Sequence, residues 1–339
     1  MSIGIRLITL RLAMAVILIA GAVYPPEPAA AQVEPSIEDV FKAIVRIDTT
    51  VPDGARTRDT LGATRTGHGA IIDANGLIVT IGYLVLEANS VTVTSHDGTT
   101  TPATVLAYDH DTGFGLVRAA RPIPVKPLPI GKSGSVKQKA AAVIAGFGGS
   151  EAALPVRVVA RREFTGYWEY LLERAIFTAP PYANFGGAAL IDSNGALVGI
   201  GSLLVPNTTG DTEFTPGNMF VPIDRLKPLI KEASTLSQPT RSAKPWIGLY
   251  TEEVRGRLFV QRVAKDGPAQ KAGLAHGDIV VEIGDTPVTT QAAVYRKLWS
   301  LGSPGTRVPV TVLTTASEIK RVEIASKDRY RWYRFPKGN

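Results

Sequence analysis

Three dipeptides, Asn75-Gly76, Asp97-Gly98 and Asn194-Gly195, each sit between two short apolar runs. Asn-Gly and Asp-Gly supply the positive φ that a tight two-residue turn needs, so a dipeptide flanked in this way signals a β-hairpin. The flanking segments are "GAIIDANGLIVT", "SVTVTSHDGTTTPATVLAYD" and "AALIDSNGALVGIGSLLV". "AAVIAGFG" at 141–148 reads as a further buried strand. Strands joined by turns of this kind build an all-β barrel or sandwich.

Around this core the chain is organised in blocks. "SIEDVFKAIVRIDTT" begins at Ser36, with Glu38 and Asp39 in a first helical turn, and runs into an alternating strand from Ile44 to Ile47. The polar stretch "VPDGARTRDTLGATRTG" has no pattern of its own and is expected to be mobile. "VPIDRLKPLIKEA" closes the region as a short helix, and "STLSQPTRSAKP", 234–245, reads as an interdomain linker. Four further strands then alternate with two helices, "GPAQKAG" and "TTQAAVYRKLWSLG". Together they span about 80 residues, enough for a separate small α+β fold.

The amino terminus has a different character. Arg6 and Arg11 precede an uninterrupted apolar run of 12 residues from Leu12 to Val23, and Ala29-Ala30-Ala31 follows as an A-x-A site. The run is short against the about 20 residues of a spanning helix. Residues 1–31 therefore read as a secretory signal peptide, with an uncleaved anchor as the other reading. Either way the rest is exported, and the bacterial style of the site points to the periplasm. The chain has no cysteine, which excludes disulfides, zinc-thiolate sites and a cysteine nucleophile. Its net charge of +7 falls to +6 without Arg6, Arg11 and Glu27. That mild excess has no basic block or aromatic-basic motif to direct it at nucleic acid.

Several motifs in order over most of the exported part resemble the HtrA/Deg family. "GHGAIIDANGLIVT" is similar to that family's opening hairpin, and "DHDTGFGLVRA" to its Asp-x-x-Thr-Asp-Leu-Ala-Val-Leu segment. "YANFGGAALIDSNGALVGI" is similar to its Pro-Gly-Asn-Ser-Gly-Gly-Pro-Leu nucleophile loop, and "GPAQKAGLAHGDIVVEIGDTPV" to its PDZ domain. The resemblance implies a mainly β fold: a trypsin-like double β-barrel over 36–232, a linker at 233–243, a small α+β PDZ domain over 244–326 and a basic-aromatic tail at 327–339. The family activity is serine-type endopeptidase, without cofactor or metal, and the family implies trimers.

The same alignment of motifs locates departures. Tyr83 stands where the family has its histidine, Gly113 where it has its aspartate, and Phe185 where it has its serine. A seryl hydroxyl needs an imidazole to take its proton, and the imidazole needs a carboxylate to orient it. Phenylalanine has no nucleophilic atom, a tyrosine titrating at about 10 is a poor base, and glycine orients nothing. The oxyanion loop has changed too: Ala183 precedes Asn184 where the family has glycine, and Ala183 lacks glycine's access to positive φ. Tyr83 and Phe185 read either as a plug in a disused cleft or as an apolar surface that holds a peptide.

Other candidates are weaker. His68 lies on a strand leading to the active-site half, His96 before an exposed turn, His110 between Asp109 and Asp111, and His276 in the second domain. Neighbours in sequence rarely converge on one ion, so no metal site is expected at "DHD". Ser193 and Ser202 have no evident basic partner. "PWIGLY" fits the family's carboxylate-binding loop, so the amides of Ile247, Gly248 and Leu249, after Trp246, are expected to take a peptide's terminal carboxylate. The tail "SKDRYRWYRFPKGN" either lies on a membrane or partner or caps its own domain. The expectation is an exported pseudoprotease that binds peptides or unfolded proteins with apolar C-termini, as a chaperone, scaffold or regulator. It would act as a homo-oligomer or with active relatives. The alternative is an active periplasmic endopeptidase with a displaced site.

Overall fold

The computed structural model describes residues 36–211, 214–235 and 243–335. The leader expected at 1–31 and most of the linker expected at 233–243 lie outside them. Ser36 begins the first element by accepting from the Asp39 amide at 3.1 Å, which caps α1 (Ile37–Lys42).

Six antiparallel strands then close into a barrel: β1 (Ile44–Thr50), β2 (Thr64–Ile71), β3 (Leu77–Ile81), β4 (Ser90–Thr94), β5 (Thr100–Tyr108) and β6 (Phe114–Ala119). Their order around it is β1-β2-β3-β6-β5-β4. The short α2 (Arg58–Leu61) lies between β1 and β2, and α3 (Gly82–Val85) between β3 and β4. A second closed barrel holds β7 (Ala141–Ala145), β8 (Ala153–Gly166), β9 (Tyr170–Ala179), β10 (Ala189–Ile191), β11 (Leu197–Val205) and β12 (Gly217–Pro222), and α4 (Leu226–Thr235) follows it. The three Asx-Gly turns join β2 to β3, β4 to β5 and β10 to β11. Closure removes the unpaired edges that open sheets expose. Ile47, Ile71, Ile78, Phe114 and Leu116 fill the first barrel, and Ile144, Val158, Ile176 and Phe220 lie in the core of the second.

The barrels meet along a seam that only glycine permits. The His68 amide donates to the Gly186 carbonyl at 2.8 Å, and a Cβ on Gly67 would lie 2.6 Å from that same oxygen. The nucleophile-like loop is thereby stitched backbone-to-backbone onto β2.

The carboxy-terminal domain has its own apolar core, including Ile247, Leu249, Leu258, Val260, Tyr295 and Val310. β13 (Pro245–Trp246) leads in. The sheet follows with β14 (Leu249–Val254), β15 (Arg257–Val263), β16 (Ile279–Ile283), β18 (Arg307–Leu313) and β19 (Ile319–Ala325), and β17 (Thr286–Pro287) pairs with β16. α5 (Pro268–Lys271) and α6 (Gln291–Ser300) complete it, the latter capped by Thr290, whose side chain accepts from the Ala293 amide at 3.1 Å. β14 is an edge strand.

One expectation is corrected here. The polar stretch after β1 is tied down rather than patternless. Its Arg56 and Thr57 amides donate to the two oxygens of Glu87 at 3.0 and 2.8 Å, and the Thr57 hydroxyl adds a third bond at 2.7 Å. Arg65, 6% exposed, reaches the Tyr83 and Leu86 carbonyls at 2.6 and 2.8 Å and the Thr57 hydroxyl at 2.8 Å. Burial, opposed by Glu87, lowers its pKa to about 10. The described part of the tail packs on the chain itself, the second of the two readings offered for it. β20 (Lys327–Asp328) pairs with β13, and α7 (Arg329–Trp332) buries Arg329. Tyr330 accepts from the His110 amide at 2.8 Å, Trp332 tilts against Trp246 at 4.7 Å, and the Arg334 amide donates to Glu87.

Glu87 is fully buried, so its loss strands donors from two distant segments of chain, residues 56–57 and Arg334. Glu87→Ala should lower the unfolding free energy by about 3 kcal/mol, and Glu87→Gln by less, in urea titrations followed by tryptophan fluorescence.

Candidate functional site

The residues at the three triad positions come together. Tyr83, Gly113 and Phe185 line one cavity of about 590 Å³ that runs from the inter-barrel cleft to the carboxy-terminal domain. α3 presents Tyr83, whose hydroxyl donates to the Ser202 carbonyl on β11 at 3.0 Å, and burial pushes that phenol's pKa up. Tyr83 thus bridges the barrels, and its oxygen would stand 3.0 Å from a Cβ on Gly186. Gly113 has φ +81°, where any side chain is strained, and a Cβ there would lie 3.3 Å from the Tyr170 hydroxyl. An aspartate is therefore disfavoured by the backbone itself.

The loop before Phe185 is pinned. The Tyr182 amide donates to Asn218 Oδ1 at 2.7 Å, and Asn218 Nδ2 donates back to the Tyr182 carbonyl at 3.0 Å. Ala183 and Asn184 are exposed, and Ala183 keeps a negative φ. The Phe185 carbonyl accepts from the Ala188 amide at 3.0 Å. Phe185 is half-buried and lines the cavity.

The histidines make ordinary hydrogen bonds. His68 Nδ1 accepts from the Phe147 amide at 3.0 Å and the ring also bonds the Asn184 backbone; burial, only partly offset by that bond, lowers its pKa. Its Nδ1 lone pair is thus engaged at Phe147, and its other contact is with the backbone of the residue before Phe185. His110 is held between the Tyr108 hydroxyl at 3.0 Å and the Glu169 carbonyl at 3.1 Å, beside the Arg329 guanidinium, and burial pushes its pKa well down. His276 bonds the Gln261 carbonyl at 2.7 Å, and His96 is exposed. Ser193 is exposed on its turn, and Ser202 is buried with its carbonyl taken by Tyr83. Among the described residues no group of three or more His, Asp or Glu is placed to hold a metal ion.

The expected carboxylate loop is formed, and it is filled. Trp246, Ile247 and Leu249 are at most 2% exposed. The Gly248 and Leu249 amides donate to Glu169 Oε1 at 2.7 and 3.1 Å, and the Ile247 amide also faces that carboxylate. Glu169 sits in the turn between β8 and β9, with Arg329 supplying the opposite charge. Burial nonetheless pushes its pKa up to about 7 against these stabilising contacts. Sequence reading passed over Glu169. Its one local signal is an acidic residue inside the aromatic turn "YWEY", and nothing in the chain links it to amides 79 residues away.

Comparison with known proteins agrees with this architecture. The trypsin-like peptidase domain family matches residues 67–200 and the PDZ domain family residues 245–324. A probable periplasmic serine endoprotease DegP-like of Pseudomonas putida (strain W619) is 24% identical over 271 residues, 76% of this chain and 54% of that protein. Serine protease PepD of Mycobacterium tuberculosis is 24% identical over 329 residues, 90% of this chain and 69% of that one. The chain spans about half the length of the first of these relatives. A solved structure of the HtrA-type protease AlgW with decapeptide is similar in fold, with a TM-score of 0.50 and 17% identity over 89% of this chain and 100% of that one.

The titration of Glu169 has a definite sign. Its folded pKa of about 7 lies above the 4.5 of an ordinary glutamate. The stability linked to its proton is therefore full below pH 4.5 and lost as the pH rises through 7. Glu169→Gln carries the neutral group permanently. Between pH 5 and pH 8 the wild-type chain should lose about 2–3 kcal/mol relative to that variant in urea unfolding. An unchanged difference across the range would show that the docked carboxylate does not titrate there.

Proposed function

We propose that this chain, a homologue of the HtrA/DegP proteins built from a trypsin-like peptidase domain followed by a PDZ domain, binds peptides and performs no peptidase chemistry. The observation that carries this reading is the wall of the inter-barrel cavity, which brings together Tyr83, Gly113 and Phe185, the residues that the sequence resemblance matches to base, orienter and nucleophile. Acyl transfer needs an atom that attacks, a base that takes its proton and a group that holds the base. None of these three side chains supplies its part, and His68 spends its lone pair on the Phe147 amide. What the cleft keeps is an apolar, aromatic surface of the size that ordinary ligand sites have.

Binding then falls to the parts that survive, the PDZ loop at Ile247–Leu249 with its edge strand β14, and the aromatic cavity. The chain acts outside the cytoplasm, as the leader-like residues 1–31 and the periplasmic designation of its relatives support. The relatives' names as serine proteases favour the second reading, an endopeptidase with a displaced site.

The two separate cleanly. Incubated with casein and with a fluorophosphonate probe, the chain should neither cleave nor become labelled. Robust cleavage that a serine reagent abolishes would sink the binding reading. Phe185→Ser alone should also stay inactive, because Tyr83 and Gly113 supply neither a base nor its orienter. Peptidase activity in that single variant would reveal a base within reach.

A further inference from the structure

We infer that the PDZ groove is occupied by the chain's own β8–β9 hairpin, with Glu169 as an internal ligand that a peptide's terminal carboxylate must displace. The inference rests on the reading of this domain as a peptide binder and concerns what regulates it.

The chemistry of the two ligands is the same. A C-terminal peptide presents one carboxylate to the loop amides and one extended strand to the edge of β14. Glu169 presents a carboxylate to those amides, at 2.7 Å from Gly248 N and 3.1 Å from Leu249 N. Two carboxylates cannot share these donors, so occupancy is exclusive.

The hairpin also follows the groove beyond that single point. Gln291 and Tyr295 lie one turn apart on α6, the groove's helical wall. Tyr295 donates to the Gly166 carbonyl at 2.8 Å, and the Thr165 hydroxyl donates to Gln291 Oε1 at 3.0 Å. Arg296 pairs with Glu163 further along. Leu171, two residues past Glu169, packs on the PDZ core as an apolar ligand side chain would.

Barrel closure does not account for this hairpin. β8 pairs with β7 only over Ala153–Arg157, and β9 pairs with β12 only over Ile176–Thr178. The strands from Arg161 to Ala175 pair with one another alone. One face of the hairpin, with Tyr170 and Leu172, packs on the barrel core, and Thr165, Gly166, Glu169 and Leu171 meet the groove. On its other side the turn is held by Arg329, whose Nη2 donates to the Trp168 carbonyl at 2.7 Å. A peptide that displaces the hairpin thereby loosens the tail, and with it the wall of the aromatic cavity formed by Trp168, Trp332 and Tyr333.

The test uses the full chain. The probe is a fluorescein-labelled decapeptide ending in Leu with a free carboxylate, with its C-terminal amide as control. Anisotropy should show at least tenfold tighter binding of the free-acid peptide to Glu169→Ala than to wild type, and Glu169→Gln should fall between them. Hydrogen exchange of the 246–250 backbone reads occupancy without any peptide: slow in wild type, fast in Glu169→Ala. Equal affinity and equal exchange in wild type and Glu169→Ala would overturn the internal ligand. Faster exchange in Glu169→Ala, with no peptide bound by any variant, would keep the internal ligand and sink the peptide-binding reading beneath it.

Discussion

A single buried carboxylate connects the parts of this molecule that the chain order keeps apart. Glu169 comes from the second barrel, the amides that hold it from the PDZ domain, and the opposing Arg329 from the carboxy-terminal tail. Removing a carboxylate from water costs several kcal/mol unless donors and opposite charge replace its hydration. Glu169 obtains these replacements only when all three segments are in place. That condition couples the relative position of barrel, PDZ domain and tail. The Glu87 network acts in parallel, joining the segment after β1, α3 and the tail around a second buried carboxylate.

The cleft between the barrels follows a different logic. The fold keeps its seam, with Gly67 and Gly186 in backbone contact and the loop up to Phe185 pinned through Asn218. Side chains that an acyl-transfer site would use for chemistry are instead used for packing. Tyr83 ties α3 to β11, and Gly113 takes a left-handed turn closed by its amide bond to the Asp109 carbonyl at 2.7 Å. A barrel pair gains its stability from closed ladders and filled cores, neither of which needs a triad. The shape of the scaffold is thus independent of any reaction it carries.

Much of this was legible in local pattern. The Asx-Gly turns, the apolar alternation of β1 and the Ser36 cap each act within a few residues, so they can be read from neighbours alone. The PDZ loop was legible for the same reason, since a glycine with φ +71° at position 248 between apolar residues is a local requirement. The segment after β1 was misread because what orders it is Glu87, about 30 residues away, and a polar run looks the same whether its amides meet water or a buried carboxylate. The tail's alternation of arginine and aromatic residues was equally ambiguous. Only the burial of Arg329 between Trp168 and His110 separates a cap from a surface anchor.

The sequence by itself determined two β-rich units, from residue type and short-range spacing, and its resemblance to a trypsin-like and PDZ plan is what matches Tyr83, Gly113 and Phe185 to the triad positions. The tertiary structure decided what fills the PDZ loop. A carboxylate finds amide donors wherever the backbone brings them within about 3 Å, and no sequence pattern encodes a meeting between residues 169 and 248. The loop amides that the sequence offers to an outside carboxylate therefore meet, once folded, the carboxylate of Glu169.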